Sequence, residues 1–141
     1  MRAFFDTSAL IPAFLDEHEH HERSLSALAA ADKRRDCCAA YSLAEVYSVM
    51  TRLPGRQRLS AEQVMLFLEN IRERLSIIAL TADEYHAVIA EAAQAGIIGG
   101  TIYDALIARC ALKAKAETIY TWNTRHFEQL GSAIAKLLKT P

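Results

Sequence analysis

The chain reads as an α/β fold, a parallel sheet of four or five strands with helices on both faces. Three observations predict it. Short apolar runs alternate with longer stretches of helical periodicity, which is the pattern of strands buried between covering helices. Of the 141 residues, 52% are hydrophobic, enough for a substantial core in a chain the size of one domain. No repeat, linker or low-complexity segment interrupts the alternation, so residues 1–141 form one domain.

The elements follow in order. Ala3-Phe4-Phe5 is the first strand, ended by Asp6-Thr7-Ser8, and a short apolar helix runs on through Leu15. A polar stretch from Asp16 to Glu22 leads into a helix through Ala31, with Leu25 and Leu28 on its inner face. Lys33-Arg34-Arg35-Asp36 is a solvated turn before Cys37-Cys38-Ala39-Ala40-Tyr41, the second strand. Ser42 opens a helix with Val46, Val49, Met50 and Leu53 on one side, stopped by Pro54-Gly55. Another amphipathic helix spans Ser60 to about Arg74 and precedes the apolar run Ile77-Ile78-Ala79-Leu80. Thr81 starts a helix that ends at Gly96, and Gly99-Gly100 separates it from an alanine-rich helix beginning near Thr101. Ile119-Tyr120-Thr121-Trp122 is the fourth strand. A short helix then ends at Gly131, and the segment from Ala133 to Leu138 offers a fifth strand.

Composition excludes several classes. The apolar stretch before Asp6 is too short for a signal peptide, and no run approaches a membrane span, so a cytoplasmic location is expected. Cys37, Cys38 and Cys110 lack the paired spacing of a zinc site. The adjacent pair lies on a strand, where neighbours point to opposite faces, so all three read as reduced, buried thiols. The net charge of −1, from 16 basic and 17 acidic residues, lacks the basic excess common in nucleic-acid binders. Any grip on phosphate must come from local clusters or from a metal.

Three carboxylates fall where chemistry is expected. Ligands of open parallel sheets sit beyond the carboxyl ends of the strands. Asp6 follows the first strand, Glu45 lies in the first turn after the second, and Asp104 lies in the first turn after Gly99-Gly100. Residues Thr121 to Thr124 join the same edge. Acids so gathered resist ionisation unless a cation compensates, and an all-oxygen set favours Mg²⁺, with Mn²⁺ as a substitute. Such a site suits a metal-dependent nuclease or phosphatase. The same residues have a plainer reading. Ser42-x-x-Glu45 and Thr101-x-x-Asp104 both fit helix capping boxes, as does Thr81-x-x-Glu84, which has no catalytic part here. Spacing alone leaves the two readings open.

Other residues carry paired readings too. His18-Glu19-His20-His21 is either a metal tract or, as favoured, a solvated helix start. Arg52, Arg56 and Arg58, around the Pro54-Gly55 break, form either a phosphate-gripping rim or a solvated loop. His126, next to Arg125, either touches a substrate phosphate or sits idle on a surface helix. Trp122 stacks a base or, following an apolar strand, simply packs. Val46, Met50 and Leu53, with Val64, Leu66, Phe67 and Leu68, are core, or in part an exposed groove for a partner helix.

Four segments in order add a resemblance. Phe4-Phe5-Asp6-Thr7-Ser8-Ala9-Leu10, Ser42-Leu43-Ala44-Glu45-Val46-Tyr47-Ser48-Val49-Met50, Tyr103-Asp104-Ala105-Leu106-Ile107-Ala108 and Thr121-Trp122-Asn123-Thr124-Arg125-His126-Phe127 resemble the four motifs of PIN-domain ribonucleases, over almost the whole chain. In size and motif style the chain is similar to the VapC-type toxins of bacterial toxin–antitoxin pairs. The resemblance implies a three-layer α/β/α domain and a Mg²⁺-dependent endoribonuclease leaving 5′-phosphate and 3′-hydroxyl ends. It makes Asp6, Glu45 and Asp104 the metal-binding acids and sets Asn123 at the family's fourth acidic position, where an amide brings no charge. It implies a small antitoxin partner, in a homodimer or a hetero-oligomer, and RNA as the substrate, for which the local cations Arg52, Arg56, Arg58 and Arg125 are the candidate contacts. Two other enzymes fail on residue identity: an aspartate-nucleophile phosphatase needs a second Asp where Ser8 stands, and a receiver domain needs an acidic pair near the first strand. A catalytically silent PIN-like binding module remains as the alternative, with Asn123 the feature favouring it.

Overall fold

The structure, a computed structural model, describes residues 2–141. β1 (Ala3–Phe5) runs into α1 (Thr7–Leu10), a 3₁₀ turn over Ile11–Phe14 and α2 (His21–Ala29). β2 (Cys37–Ala39) passes directly into α3 (Ala40–Thr51), and a 3₁₀ turn over Gly55–Gln57 leads to α4 (Ala61–Arg74) and β3 (Ser76–Ile78). α5 (Ala82–Gln94) and α6 (Thr101–Lys113) precede β4 (Thr118–Tyr120), α7 (Thr124–Glu128), α8 (Ser132–Ala135) and β5 (Leu138–Lys139). The five strands are all parallel, in the order β3-β2-β1-β4-β5.

Strand alternation builds the two halves of the core. Ala3, Phe5 and Cys38 point to one face and pack with Leu10, Leu28, Val46, Met50, Val64 and Ile71 from α1–α4. Phe4, Cys37, Ala39 and Ile119 point to the other and pack with Ile107, Ala111, Phe127 and Ile134 from α6–α8. The adjacent cysteines thus do face opposite layers, and all three thiols are free and buried. No helix among the described residues is long and apolar enough to cross a membrane.

Several expectations need correction. The fifth strand is Leu138–Lys139, and the first half of the segment proposed for it belongs to α8, capped by Gly131. α3 begins at Ala40 instead of Ser42, because the strand turns into the helix with no intervening loop. Leu25 is 43% exposed, while Ser24 and Leu28 are the buried residues of α2. In the basic turn, Asp36 is 3% exposed and anything but solvated.

Helix ends follow local rules, with one exception. Ser60 and Thr81 each complete a capping box, with Gln63 and Glu84. α5 ends in a Schellman motif: Ile97 N–H donates to Ala92 O (2.9 Å) and Gly96, at φ +73°, donates to Ala93 O. α6 closes the same way, Ala116 donating to Ala111 O and Lys115 to Leu112 O, but there the left-handed position is Lys115, at φ +56°. Lys115→Gly removes a conformation costly for an L side chain. Against the greater freedom glycine has when unfolded, it should stabilise by about 0.5–1 kcal/mol, read from the urea midpoint.

Candidate active site

The strand order places a reversal at the centre of the sheet. From β1 the chain goes to β2 and β3 on one side, then returns to lay down β4 and β5 on the other. The crevice beyond the carboxyl ends of β1 and β4 is therefore the topological switch point, where α/β sheets bind ligands. Asp6 and Thr121 are the residues immediately after those two strands.

Asp6 is 2% exposed and caps α1, with its amide donating to Tyr120 O at 2.9 Å. Two hydroxyls converge on its Oδ2: Ser8 Oγ donates at 2.7 Å and Thr121 Oγ1 at 2.8 Å. Each hydroxyl oxygen in turn accepts a backbone amide, Trp122 N on Ser8 (2.9 Å) and Asn123 N on Thr121 (3.0 Å). The loop after β4 is thereby stitched to the carboxylate after β1. Burial nevertheless wins over these hydrogen bonds and raises the Asp6 pKa.

Glu45 and Asp104 arrive by separate routes. α3 starts at the sheet edge, and Thr7 Oγ1 donates to the buried Ser42 Oγ (2.9 Å), locking α1 to α3. Glu45 then lies in the second turn, half-buried. α6 does not follow a strand: α5 and α6 run antiparallel, Glu84 bonding Lys113 (2.6 Å) and Glu91 bonding Arg109. A helix leading into parallel β4 must begin at the carboxyl edge, and this brings Asp104, in the first turn of α6, to the site. The Asp104 carboxyl is pushed up to about 6, by burial first and then by the charges of Asp6 and Glu45, with His126 pulling the other way. Neither acid caps a helix. The ends of α3 and α6 lack side-chain caps, so the capping reading fails for Glu45 and Asp104 and holds only for Glu84.

The donor set is three carboxylates with the Asn123 amide nearby, all oxygen and suited to a hard divalent cation. Among the described residues no three acids, imidazoles or thiols are already closed around one point. The site is an open carboxylate edge, which fits Mg²⁺, an ion usually held by one or two carboxylates with water and substrate phosphate completing its shell.

Residues 3–132 match the PIN domain family. The chain belongs to it. Ribonuclease VapC40 of Mycobacterium tuberculosis is 34% identical over 114 residues, 81% of each chain. Ribonuclease VapC27 of the same species is 34% identical over 113 residues, covering 79% of this chain and 78% of its own. A crystal structure of VapBC2 from Rickettsia felis, bound to a DNA fragment from its promoter, contains a chain with TM-score 0.66 and 25% identity, covering 100% of this chain and 99% of that one.

In this PIN domain the other sequence candidates divide between the β4–α7 loop beside the acids and the far end of α3. Asn123 is exposed at the start of α7, and Arg125 and His126 are exposed one and two residues into that short helix. Arg52 lies seven residues beyond Glu45, about 10 Å further along α3 and away from the acid edge. Arg56 and Arg58 are exposed past it, with Arg58 Nε donating to Leu53 O at 3.1 Å. The suggested partner groove is mostly interior. Val46, Met50 and Val64 are fully buried and Phe67 stacks on Phe14 at 4.6 Å, leaving Leu66 at 71% exposure.

The His18–His21 stretch is not a solvated helix start. His21 Nδ1 meets Pro12 O at 2.8 Å, and His20 lies parallel on Trp122 with ring centroids 3.6 Å apart. Sequence reasoning missed Ser8 and Thr121 as supports of Asp6. Their only signal was a hydroxyl residue just beyond each of two neighbouring strands, which has meaning only once the strand order is known.

Proposed function

We propose that this PIN domain, one domain over residues 1–141, is a cytoplasmic Mg²⁺-dependent endoribonuclease, with Mn²⁺ able to substitute, and the toxin half of a type II toxin–antitoxin pair. The observation that carries the reading is the gathering of Asp6, Glu45 and Asp104 at the switch point, close enough that two of the acids raise the pKa of the third. The ribonuclease names of the relatives and the antitoxin complex of the structural neighbour support the biological assignment.

Asp6 and Asp104 would hold the cation, with Glu45 as a further ligand or as the group orienting the attacking water. Bound there, the ion supplies charge compensation and Lewis acidity to a phosphodiester. The protein's own part is positional. Ser8 and Thr121 fix Oδ2 of Asp6, so the carboxylate cannot swing away from the edge. Glu45 accepts a hydrogen bond from water and aims its oxygen at phosphorus. Asn123 holds water or a phosphate oxygen through its amide, and Arg125 on α7 adds positive charge, with Arg52, Arg56 and Arg58 gripping a longer RNA beyond the far end of α3. Tyr47, Met65 and Leu66, exposed on α3 and α4, offer an apolar face for the antitoxin or for a second copy of the chain.

Antitoxin-free protein incubated with a panel of structured RNAs should cut in Mg²⁺ or Mn²⁺ and not in EDTA. Failure of folded protein to cut any of them in either metal would favour the silent binding module, with the uncharged Asn123 as its cause.

A further inference from the structure

A cleft of about 420 Å³ opens beside the acid edge, lined by Ser8, Pro12, His18, His20, Trp122 and Asn123. We infer that it is the subsite for one unpaired RNA base next to the bond that is cut; this deepens the ribonuclease reading and rests on it.

The cleft touches the acid edge through Ser8. Ser8 Oγ, which donates to Asp6 Oδ2 at 2.7 Å, also accepts the Trp122 amide at 2.9 Å, so one residue belongs to both. With a phosphate at Asp6, the cleft on the other side of Ser8 is the nearest concave surface for a neighbouring base. The walls are flat rings held in place. His20 lies 5° from parallel on Trp122, and the indole Nε1 is fixed by donating to Ser24 Oγ at 2.9 Å. The Arg23 guanidinium sits 5.4 Å from the indole centroid. The His18 ring is 5.6 Å from that of His20, and its Nδ1 accepts the His20 amide at 3.0 Å, pinning the turn. His20 covers one face of the indole and Arg23 lies over the ring, so the stacking surface left to a base is the outer face of His20, backed by Trp122. His18, Glu19 and Asn123 line the same cleft with donors and acceptors for a base edge.

Charge argues the same way. With a net charge of −1, the chain has no basic excess to hold RNA by its phosphates alone. Stacking supplies affinity that does not depend on charge. The volume falls within the roughly 300–1,000 Å³ of small-ligand clefts, and a paired base inside a duplex could not enter.

The chain contains a single tryptophan, and it forms one wall. Titrating a short single-stranded RNA into the protein in EDTA, where no bond is cut, should quench its fluorescence saturably. A dye on the RNA reports total binding by anisotropy. His20→Ala should weaken binding about 5- to 100-fold, the range for loss of one stacked base, with the salt slope unchanged. His20→Phe should restore most of it, separating stacking from any loss of fold, and circular dichroism checks both variants. RNA binding with no change in fluorescence, or equal binding by folded His20→Ala, would overturn the cleft assignment alone. No anisotropy change with any RNA would instead count against the ribonuclease reading itself.

Discussion

Asp6→Asn should lower RNA cleavage by at least about 10³-fold while leaving the protein folded. A loss of that size corresponds to about 4 kcal/mol of transition-state stabilisation, in the range expected when a metal-binding charge is removed from a phosphodiester site. The substitution is isosteric. An amide oxygen can still accept the Ser8 and Thr121 hydroxyls that now donate to Oδ2, so the link between the ends of β1 and β4 survives. Stability should move in the opposite direction from activity. Burial raises the Asp6 pKa, so folding disfavours the carboxylate relative to the unfolded chain, and at neutral pH a neutral amide relieves that cost. In EDTA the variant should therefore melt no lower than the wild type. Added Mg²⁺ should raise the wild-type Tm by mass action and leave the variant's nearly unchanged. Retained Mg²⁺-dependent cleavage in the variant would remove Asp6 from the site. Equal Mg²⁺ stabilisation of both proteins would place the cation elsewhere.

How far the sequence led to this site depends on which residues are asked about. Asp6 was legible as an acid directly after a buried strand, although it also caps α1. Glu45 and Asp104 were ambiguous, since Ser-x-x-Glu and Thr-x-x-Asp are also capping patterns. The ambiguity dissolves only with the helix starts: Ala40 opens α3 two residues before Ser42, so Ser42 is inside the helix and bonds Thr7 instead of capping. No breaker separates Ala39 from Ala40, which left that boundary invisible to turn chemistry. The route of Asp104 was also hidden. Its helix precedes a strand and does not follow one, and the antiparallel α5–α6 pair is a tertiary fact carried by Glu84–Lys113 and Glu91–Arg109.

Short elements account for much of the rest. β1 to β4 have three residues each and β5 has two, so period-2 patterning has almost nothing to act on. The parallel class could be read from alternation, but the order β3-β2-β1-β4-β5 could not. Without that order, Ser8 and Thr121 have no reason to meet, nor do His20 and Trp122, which lie about a hundred residues apart in sequence. The basic turn misled for a different reason. Three consecutive cations suggest a solvated loop, and they conceal that the next residue is a buried anion.

That residue supports the prediction with the largest expected effect on stability. Asp36→Ala should cost about 2–4 kcal/mol, near 10 °C in Tm for a chain of this size. The Asp36 carboxylate accepts Ala3 N–H and Asp32 N–H, both at 3.0 Å, and pairs with Arg35 at 2.9 Å. Its carbonyl accepts Ser76 N–H at 3.0 Å. One residue thus joins the amino ends of β1, β2 and β3, and truncation strands two amides with no acceptor. Burial acts to raise its pKa, but hydrogen bonds from Arg35 and the Ala3 and Asp32 amides prevail, and the net shift is downward from 3.8. A depressed folded pKa means the ionised group contributes stability that is fully present above the unfolded value and lost as pH falls through the folded one. The gap between wild type and Asp36→Ala should accordingly hold from pH 5 to 7 and narrow below about pH 3.8, read from urea unfolding at each pH. Asp32→Ala, whose side chain is 42% exposed, is the control and should leave the urea midpoint nearly unchanged. A gap between wild type and Asp36→Ala that stays constant to pH 2 would show that the group stabilises without its charge, and equal costs at positions 32 and 36 would remove Asp36 as the tie between the three strands.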